Sequence, residues 1–256
     1  MAGKTDDSTG ARTGLETRGA ARPLDRGSRG GAVSATSSGK VSAFLDAARE
    51  TRGLATAGRL VIALDATMSR QPTWDRACHI QAEMFEAAGR VGNLAMQLVY
   101  FRGFGDCAAS KWVKDGPTLA ALMSRIDCRG GQTQIRKVLR HAIDETRRRK
   151  VQALVYVGDC VEEDVDMLCA RAGELGVLGV PAFIFQEGRE AGAETAFREI
   201  ARLTGGAHFR LDGSSPGELA SLLKAAAVYA AGGRDGLARL EKTGDAGARL
   251  LLRHVR

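Results

Sequence analysis

Leu60-Val61-Ile62-Ala63-Leu64-Asp65-Ala66-Thr67-Met68-Ser69 decides how this chain is read. Five apolar residues end in an aspartate, and two hydroxyl residues follow at alternate positions. A short apolar run next to turn-prone polar residues predicts a buried strand. Its last residue then delivers a carboxylate to the strand's C-terminal edge, and Asp65, Thr67 and Ser69 can aim their oxygens at one spot. Hard divalent cations take oxygen ligands, and magnesium takes a few carboxylates supplemented by water. One carboxylate and two hydroxyls do not complete such a site, so the remaining ligands have to come from elsewhere.

Outward from this stretch the pattern alternates. Strands are expected at 60–64, 94–101, 153–157, 182–185 and 207–211, with helices at 74–88, 135–143, 165–175, 194–203 and 216–230. Ile135, Val138, Leu139, Ala142 and Ile143 repeat at i, i+3, i+4, i+7 and i+8, the apolar stripe of a helix. Strands alternating with helices predict an α/β fold, a doubly wound and mostly parallel sheet with helices on both faces. Residues 110–113 are expected to add a short antiparallel edge strand, because they follow Phe101 too closely for a helical crossover.

Four segments are expected. Residues 1–40 are rich in Gly, Ser, Thr, Ala and Arg, which predicts a disordered tail. A leading helix and linker occupy 41–58, and the α/β domain spans 59–231. Gly232-Gly233 breaks the last helix, leaving 232–256 as a helical arm or tail that packs on its own domain or meets a partner.

Composition narrows the function classes. The chain is 44% hydrophobic and 26% charged, ordinary for a globular protein. It contains no run of 18 apolar residues and no apolar leader, and Asp6, Asp7, Glu16 and Asp25 argue against an acid-poor transit peptide. A cytoplasmic protein without a membrane span is expected. Cys78, Cys107, Cys128, Cys160 and Cys169 are odd in number and form no C-x-x-C pair, so buried reduced thiols are expected rather than disulfides or a structural zinc site. The net charge of +7 sits in the tails: residues 41–230 carry 24 Lys/Arg against 23 acids. A nucleic-acid groove concentrates positive charge on the folded face, so this distribution argues against one. The run Arg147-Arg148-Arg149-Lys150 ends a predicted helix, where cations suit the macrodipole. Trp74 and Trp112 read as packing or rim residues, and the four histidines show no ligand spacing.

In a parallel α/β sheet, ligands gather beyond the C-terminal strand ends. The 153–157 strand leads through Gly158 to Asp159, a second carboxylate placed like Asp65. Between these strands, Gly130-Gly131-Gln132-Thr133 precedes the Ile135 helix, so its threonine falls near that helix's N-terminus. Glu162, Glu163, Asp164 and Asp166 follow Asp159 and read as acids opening the next helix.

The ordered set resembles the von Willebrand factor type A (VWA) family, over about residues 59 to 230. That family carries a metal-ion-dependent adhesion site (MIDAS) built from Asp-x-Ser-x-Ser, a loop threonine and a later aspartate. Here the pieces are Asp65-Ala66-Thr67-Met68-Ser69, Gly131-Gln132-Thr133 and Gly158-Asp159. Three departures stand out: Thr67 replaces a serine while keeping the hydroxyl, Gln132 separates the glycines from Thr133, and Cys160 stands where glycine often follows the aspartate.

The resemblance implies a divalent cation, Mg2+ first with Mn2+ or Ca2+ as alternatives, held by Asp65, Thr67, Ser69, Thr133 and Asp159. It implies an open position for an Asp or Glu of a protein partner, binding rather than catalysis, and a setting such as an AAA-type ATPase assembly. The alternatives are a VWA-like scaffold without metal dependence, a metal-dependent phosphotransferase or hydrolase, and a nucleic-acid-binding protein. Neither G-x-G-x-x-G nor a P-loop occurs, and Thr67 occupies the place of a phosphotransferase's second aspartate.

Overall fold

The computed structural model describes residues 57–71, 74, 93–211 and 216–255. The expected tail, the leading helix and most of the helix expected at 74–88 lie outside the described residues.

Strand β1 (Gly58–Asp65) is buried at every position. It runs parallel to β2 (Leu94–Arg102) on one side and to β4 (Ala153–Gly158) on the other. A strand flanked by parallel neighbours and covered on both faces has no solvated side, which is why its sequence is continuously apolar. Strands β5 (Ala182–Glu187) and β6 (Ala207–Leu211) extend the sheet in parallel, and β3 (Asp106–Ala109) closes the far edge antiparallel to β2. The order is β3-β2-β1-β4-β5-β6. Leu64 pairs with Val157, so the register sets Asp65 level with Gly158 and one residue short of Asp159.

The edge strand differs from its expected position at 110–113. It forms four residues earlier because the chain turns back at Gly103, whose φ of 60° permits a tight reversal, and Arg102 then pairs with Asp106 at 2.8 Å. Residues 110–113 continue beside β2 through isolated hydrogen bonds, Ser110 N–H to Leu98 O at 2.8 Å and Met96 N–H to Val113 O at 2.7 Å.

Six described helices cover the sheet: α1 (Gly116–Met123), α2 (Ile135–Arg148), α3 (Val165–Val177), α4 (Ala191–Thr204), α5 (Pro216–Glu241) and α6 (Ala246–Leu252). The alternation of β1 side chains divides the core in two. Leu60, Ile62 and Leu64 pack with Leu119 of α1, Leu222 of α5 and Leu251 of α6. Val61 and Ala63 pack with Val138 of α2, Leu168 of α3 and Phe197 of α4. Each fully buried Leu, Ile or Phe contributes about 1.5–3 kcal/mol.

Helix α5 departs from helical geometry at Gly233 (φ 61°, ψ −158°) and then continues to Glu241. Beyond the break, Leu237, Ala248, Leu251 and Val255 join the first core, so residues up to 255 pack on their own domain. Asp245 fastens this return by accepting from Ala248 N–H at 2.9 Å and pairing with Lys224 at 3.1 Å. Among the described residues, no helix is long and apolar enough to cross a membrane. Of the thiols expected to be buried, Cys128 is buried, whereas Cys107, Cys160 and Cys169 are partly exposed and free. Cys78 lies outside the described residues.

Candidate metal centre

Asp65 ends β1 with none of its surface exposed. Its Oδ1 accepts from the Thr67 N–H at 2.8 Å and the Thr67 hydroxyl at 2.6 Å, a local turn that aspartate favours. The Thr67 hydroxyl also lies 3.0 Å from that of Ser69, which is exposed. The first three expected ligands are thus one hydrogen-bonded chain running from the buried sheet to solvent.

Asp65 Oδ2 is buried with no hydrogen-bond partner among the described residues, and so is Asp159 Oδ1. Asp65, Asp159 and Cys160 each offer a ligand atom within 4.8 Å of the others. Burial raises the Asp65 carboxyl from 3.8 to about 6, against the opposing hydrogen bonds from Thr67, and the negative charge of Asp159 adds to the rise. Burial also pushes the Cys160 thiol up to about 12, reinforced by the charges of Asp159 and Asp65. A cation at this point would relieve the desolvated negative charge and satisfy the orphaned oxygens together.

Thr133 is buried and faces the loop after β4. Its N–H donates to Glu162 Oε2 at 2.9 Å, and its hydroxyl accepts the Glu162 N–H at 3.0 Å. The preceding loop is seated on the exits of β1 and β2. Arg129 N–H donates to Ala66 O at 3.0 Å, Gln132 N–H to Gly103 O at 3.2 Å, and the Gln134 amide to Arg102 O at 3.2 Å. A Cβ at Gly131 would stand 2.1 Å from Gly103 O, so the close approach requires glycine. Asp65, Thr67 and Ser69 are therefore joined directly and Asp159 is beside Asp65, whereas Thr133 bonds Glu162, three residues beyond Asp159.

The reading of the acidic run holds for two of its four residues. Asp164 caps α3, accepting from Met167 N–H at 2.9 Å, and Asp166 lies in its first turn. Glu163 accepts from the N–H groups of Ile135 and Arg136, so with Glu162 it serves the N-terminal end of α2. The first amides of α2 have no partner inside their own helix, and the loop after β4 passes close enough to supply carboxylates.

Three neighbours were not anticipated. Arg70 is buried, and its guanidinium donates to Asp65 O at 3.0 Å, Val157 O at 3.5 Å and Glu187 Oε1 at 2.6 Å, tying the ends of β1, β4 and β5 together. Tyr156 stacks on Phe101 and meets Phe197 at a tilt, and its buried hydroxyl has no hydrogen-bond partner among the described residues. A Cβ at Gly158 would stand 2.4 Å from that hydroxyl. Cys160 was legible only as a departure from glycine.

Trp74 and Trp112 do pack: Trp74 donates to Ile126 O at 3.2 Å, and Trp112 donates to Glu145 at 2.9 Å. His141 and His208 bond to Gln97 and Gln186 at 2.8 and 2.9 Å.

No protein-family model matches the sequence. No curated protein matches it either. Solved structures match its fold. A von Willebrand factor type A protein from Catenulispora acidiphila aligns with a TM-score of 0.56 and 16% identity, over 68% of this chain and 43% of that one. The VWA domain of SpRpn10 aligns at 0.53 with 12% identity, over 64% and 94%. Proximal thread matrix protein 1 from the mussel byssus, with a zinc-occupied MIDAS motif, aligns at 0.53 with 13% identity, over 67% and 46%. At these identities the likeness establishes the fold: the chain folds as a VWA domain.

Proposed function

We propose that this domain binds a divalent cation at the exits of β1 and β4 and uses it to engage an acidic side chain of a partner protein. The observation that carries the proposal is the pair of buried, unpartnered oxygens, Asp65 Oδ2 and Asp159 Oδ1, in one cluster. Leaving such atoms unmatched is costly, and an ion answers both. Asp65, Thr67, Ser69, Thr133 and Asp159 are the proposed oxygen donors, directly or through water. Two carboxylates bring a charge of −2 and three hydroxyls add donors without charge, a set that suits Mg2+ or Mn2+. The bound ion supplies an electrophilic point that a partner's Asp or Glu completes.

The surroundings favour a protein partner. Met68, Phe104, Val165 and Met167 are large hydrophobic residues left exposed, and all follow the C-terminal ends of β1, β2 and β4. Exposed apolar side chains around a polar centre are a usual mark of a protein interface. The basic run at the end of α2 is exposed but paired within the fold: Arg147 pairs with Glu174 at 2.6 Å, Arg148 with Glu145 at 2.8 Å, and Lys150 donates to Gly179 O at 2.7 Å. That use favours protein over nucleic acid. Thr67, in place of a second aspartate, favours binding over phosphotransfer. A cytoplasmic assembly, an AAA-type ATPase complex among them, is the proposed setting.

Titration of Mg2+ or Mn2+ into the wild type and Asp159→Ala, by calorimetry with melting temperature in parallel, tests the proposal. The wild type is expected to show saturable binding and metal-linked stabilisation, both lost in the variant. A wild type that shows neither overturns it.

A further inference from the structure

We propose that this site takes a thiophilic ion of the zinc class, with the Cys160 sulfur as a ligand beside Asp65 and Asp159. The inference rests on the reading above that a divalent cation binds here, and it goes further by naming the class of ion and a ligand outside the oxygen set.

Three observations point to it. The Cys160 sulfur belongs to the same cluster as the two carboxylates, all within 4.8 Å of one another. Among the described residues, this is the group of three acid, histidine or cysteine side chains that can share an ion. Zinc–sulfur and zinc–oxygen bonds of about 2.3 and 2.1 Å put neighbouring tetrahedral ligands roughly 3.5 Å apart, so the cluster closes on an ion with small side-chain movements. Asp65 Oδ2 and Asp159 Oδ1 are buried and without a hydrogen-bond partner among the described residues, which identifies a place where a ligand is missing, and the Cys160 thiol is hydrogen-bonded to the Asp159 side chain there. Finally, Asp159 and Cys160 are both partly exposed while Asp65 is wholly buried, so the cluster opens to solvent on the side that carries the sulfur.

Ligand chemistry then selects the metal. Thiolate is a poor donor to Mg2+ and a strong one to Zn2+, Co2+ and Cd2+. As the metal–sulfur bond forms, the thiol proton leaves to solvent, and no oxidant or reductant is involved. Two carboxylates and one thiolate bring −3 against a charge of +2. An extra anion from a partner is then less favoured than with the oxygen set.

The probe is Co2+, added under reducing conditions to metal-free full-length wild type, Cys160→Ser and Asp159→Ala, with circular dichroism and melting curves to establish that each is folded. The wild type is expected to develop a sulfur-to-cobalt charge-transfer band in the near ultraviolet. Cys160→Ser is expected to lose the band and to bind Zn2+ at least about tenfold more weakly, with Mn2+ binding retained. Asp159→Ala is expected to lose both the band and Mn2+ binding. Cobalt bound by the wild type without the band, or a band that persists in Cys160→Ser, overturns the sulfur ligand and leaves the oxygen site standing. No binding of Co2+, Zn2+, Mn2+ or Mg2+ to the wild type overturns both readings.

Discussion

Replacing Asp65 by Asn is expected to stabilise the metal-free protein. The wild-type carboxyl is raised from 3.8 to about 6, chiefly by burial, with the Asp159 charge adding to it. The folded state therefore holds this proton more tightly than the unfolded chain does. Below about pH 4 both states are protonated at Asp65 and the residue is neutral to stability. As pH rises from about 4 to 6 the unfolded chain ionises first, and stability falls. Above about 6 the folded state carries a desolvated carboxylate at a cost of about 3 kcal/mol.

The substitution suits the local geometry. An asparagine oxygen at the Oδ1 position keeps the two hydrogen bonds from Thr67, and its amide takes the place of the unpartnered Oδ2. Urea titrations in chelator at a series of pH values measure the effect. Asp65→Asn is expected to exceed the wild type by up to about 3 kcal/mol at neutral pH, a rise in Tm of roughly 6–12 °C, with the difference vanishing near pH 4. Saturating Mn2+ is expected to reverse the order. At one thousand times its Kd the ion adds about 4.1 kcal/mol to the wild type and nothing to a variant that does not bind it. The reasoning is refuted if Asp65→Asn is less stable than the wild type in chelator at neutral pH, or if the difference is the same at pH 4 and pH 8. Glu163, also raised by burial, is common to both proteins and cancels in the comparison.

Gly131→Ala places a Cβ 2.1 Å from Gly103 O, so the loop carrying Thr133 has to shift. A loss of about 1–3 kcal/mol in thermal unfolding, with weaker Mn2+ binding by calorimetry, is expected. Tyr156→Phe removes a buried hydroxyl that has no hydrogen-bond partner among the described residues, and equal or greater stability in chelator is expected. A clear destabilisation by urea titration would show that the hydroxyl is satisfied. Glu145→Ala removes the carboxylate that pairs with Arg59, itself 5% exposed, and accepts from Trp112. About 3 kcal/mol should be lost in urea titrations and largely regained in the double variant Arg59→Met/Glu145→Leu.

The parts legible from the sequence are those fixed by local pattern. The continuous apolar runs of β1 and β4, and the i, i+3, i+4 stripe of α2, follow from covering a parallel sheet on both faces. Asp65 and Asp159 were legible because each directly follows or ends such a run. The edge strand was misplaced because Asp106–Ala109 is short and holds only small side chains beyond Asp106, and its position follows from the turn at Gly103 rather than from alternation. Helix α1 escaped notice because its eight residues carry two glycine-or-proline positions at the start and only a weak apolar stripe. Arg70 was missed for a different reason. Arginine is usually exposed, and its burial depends on Val157 and Glu187, which lie 87 and 117 residues away in sequence.

The same distant partners determine what can move when an ion arrives. Arg70 binds the backbone at the ends of β1 and β4 and the side chain of Glu187, so the floor beneath Asp65 and Asp159 is held to the sheet. Thr133 and Glu162 exchange two hydrogen bonds, and Glu163 holds the first amides of α2. The loop before α2 and the loop after β4 therefore shift as one body or break bonds worth a few kcal/mol, all but one of them to a carboxylate. Ser69 and Met68, by contrast, are exposed. Adjustment to different ions, and approach of a partner's carboxylate, is thus cheapest on the Ser69 side. The reach of Thr133 is set from across the site, by a glutamate that no reading of its own loop would have implicated.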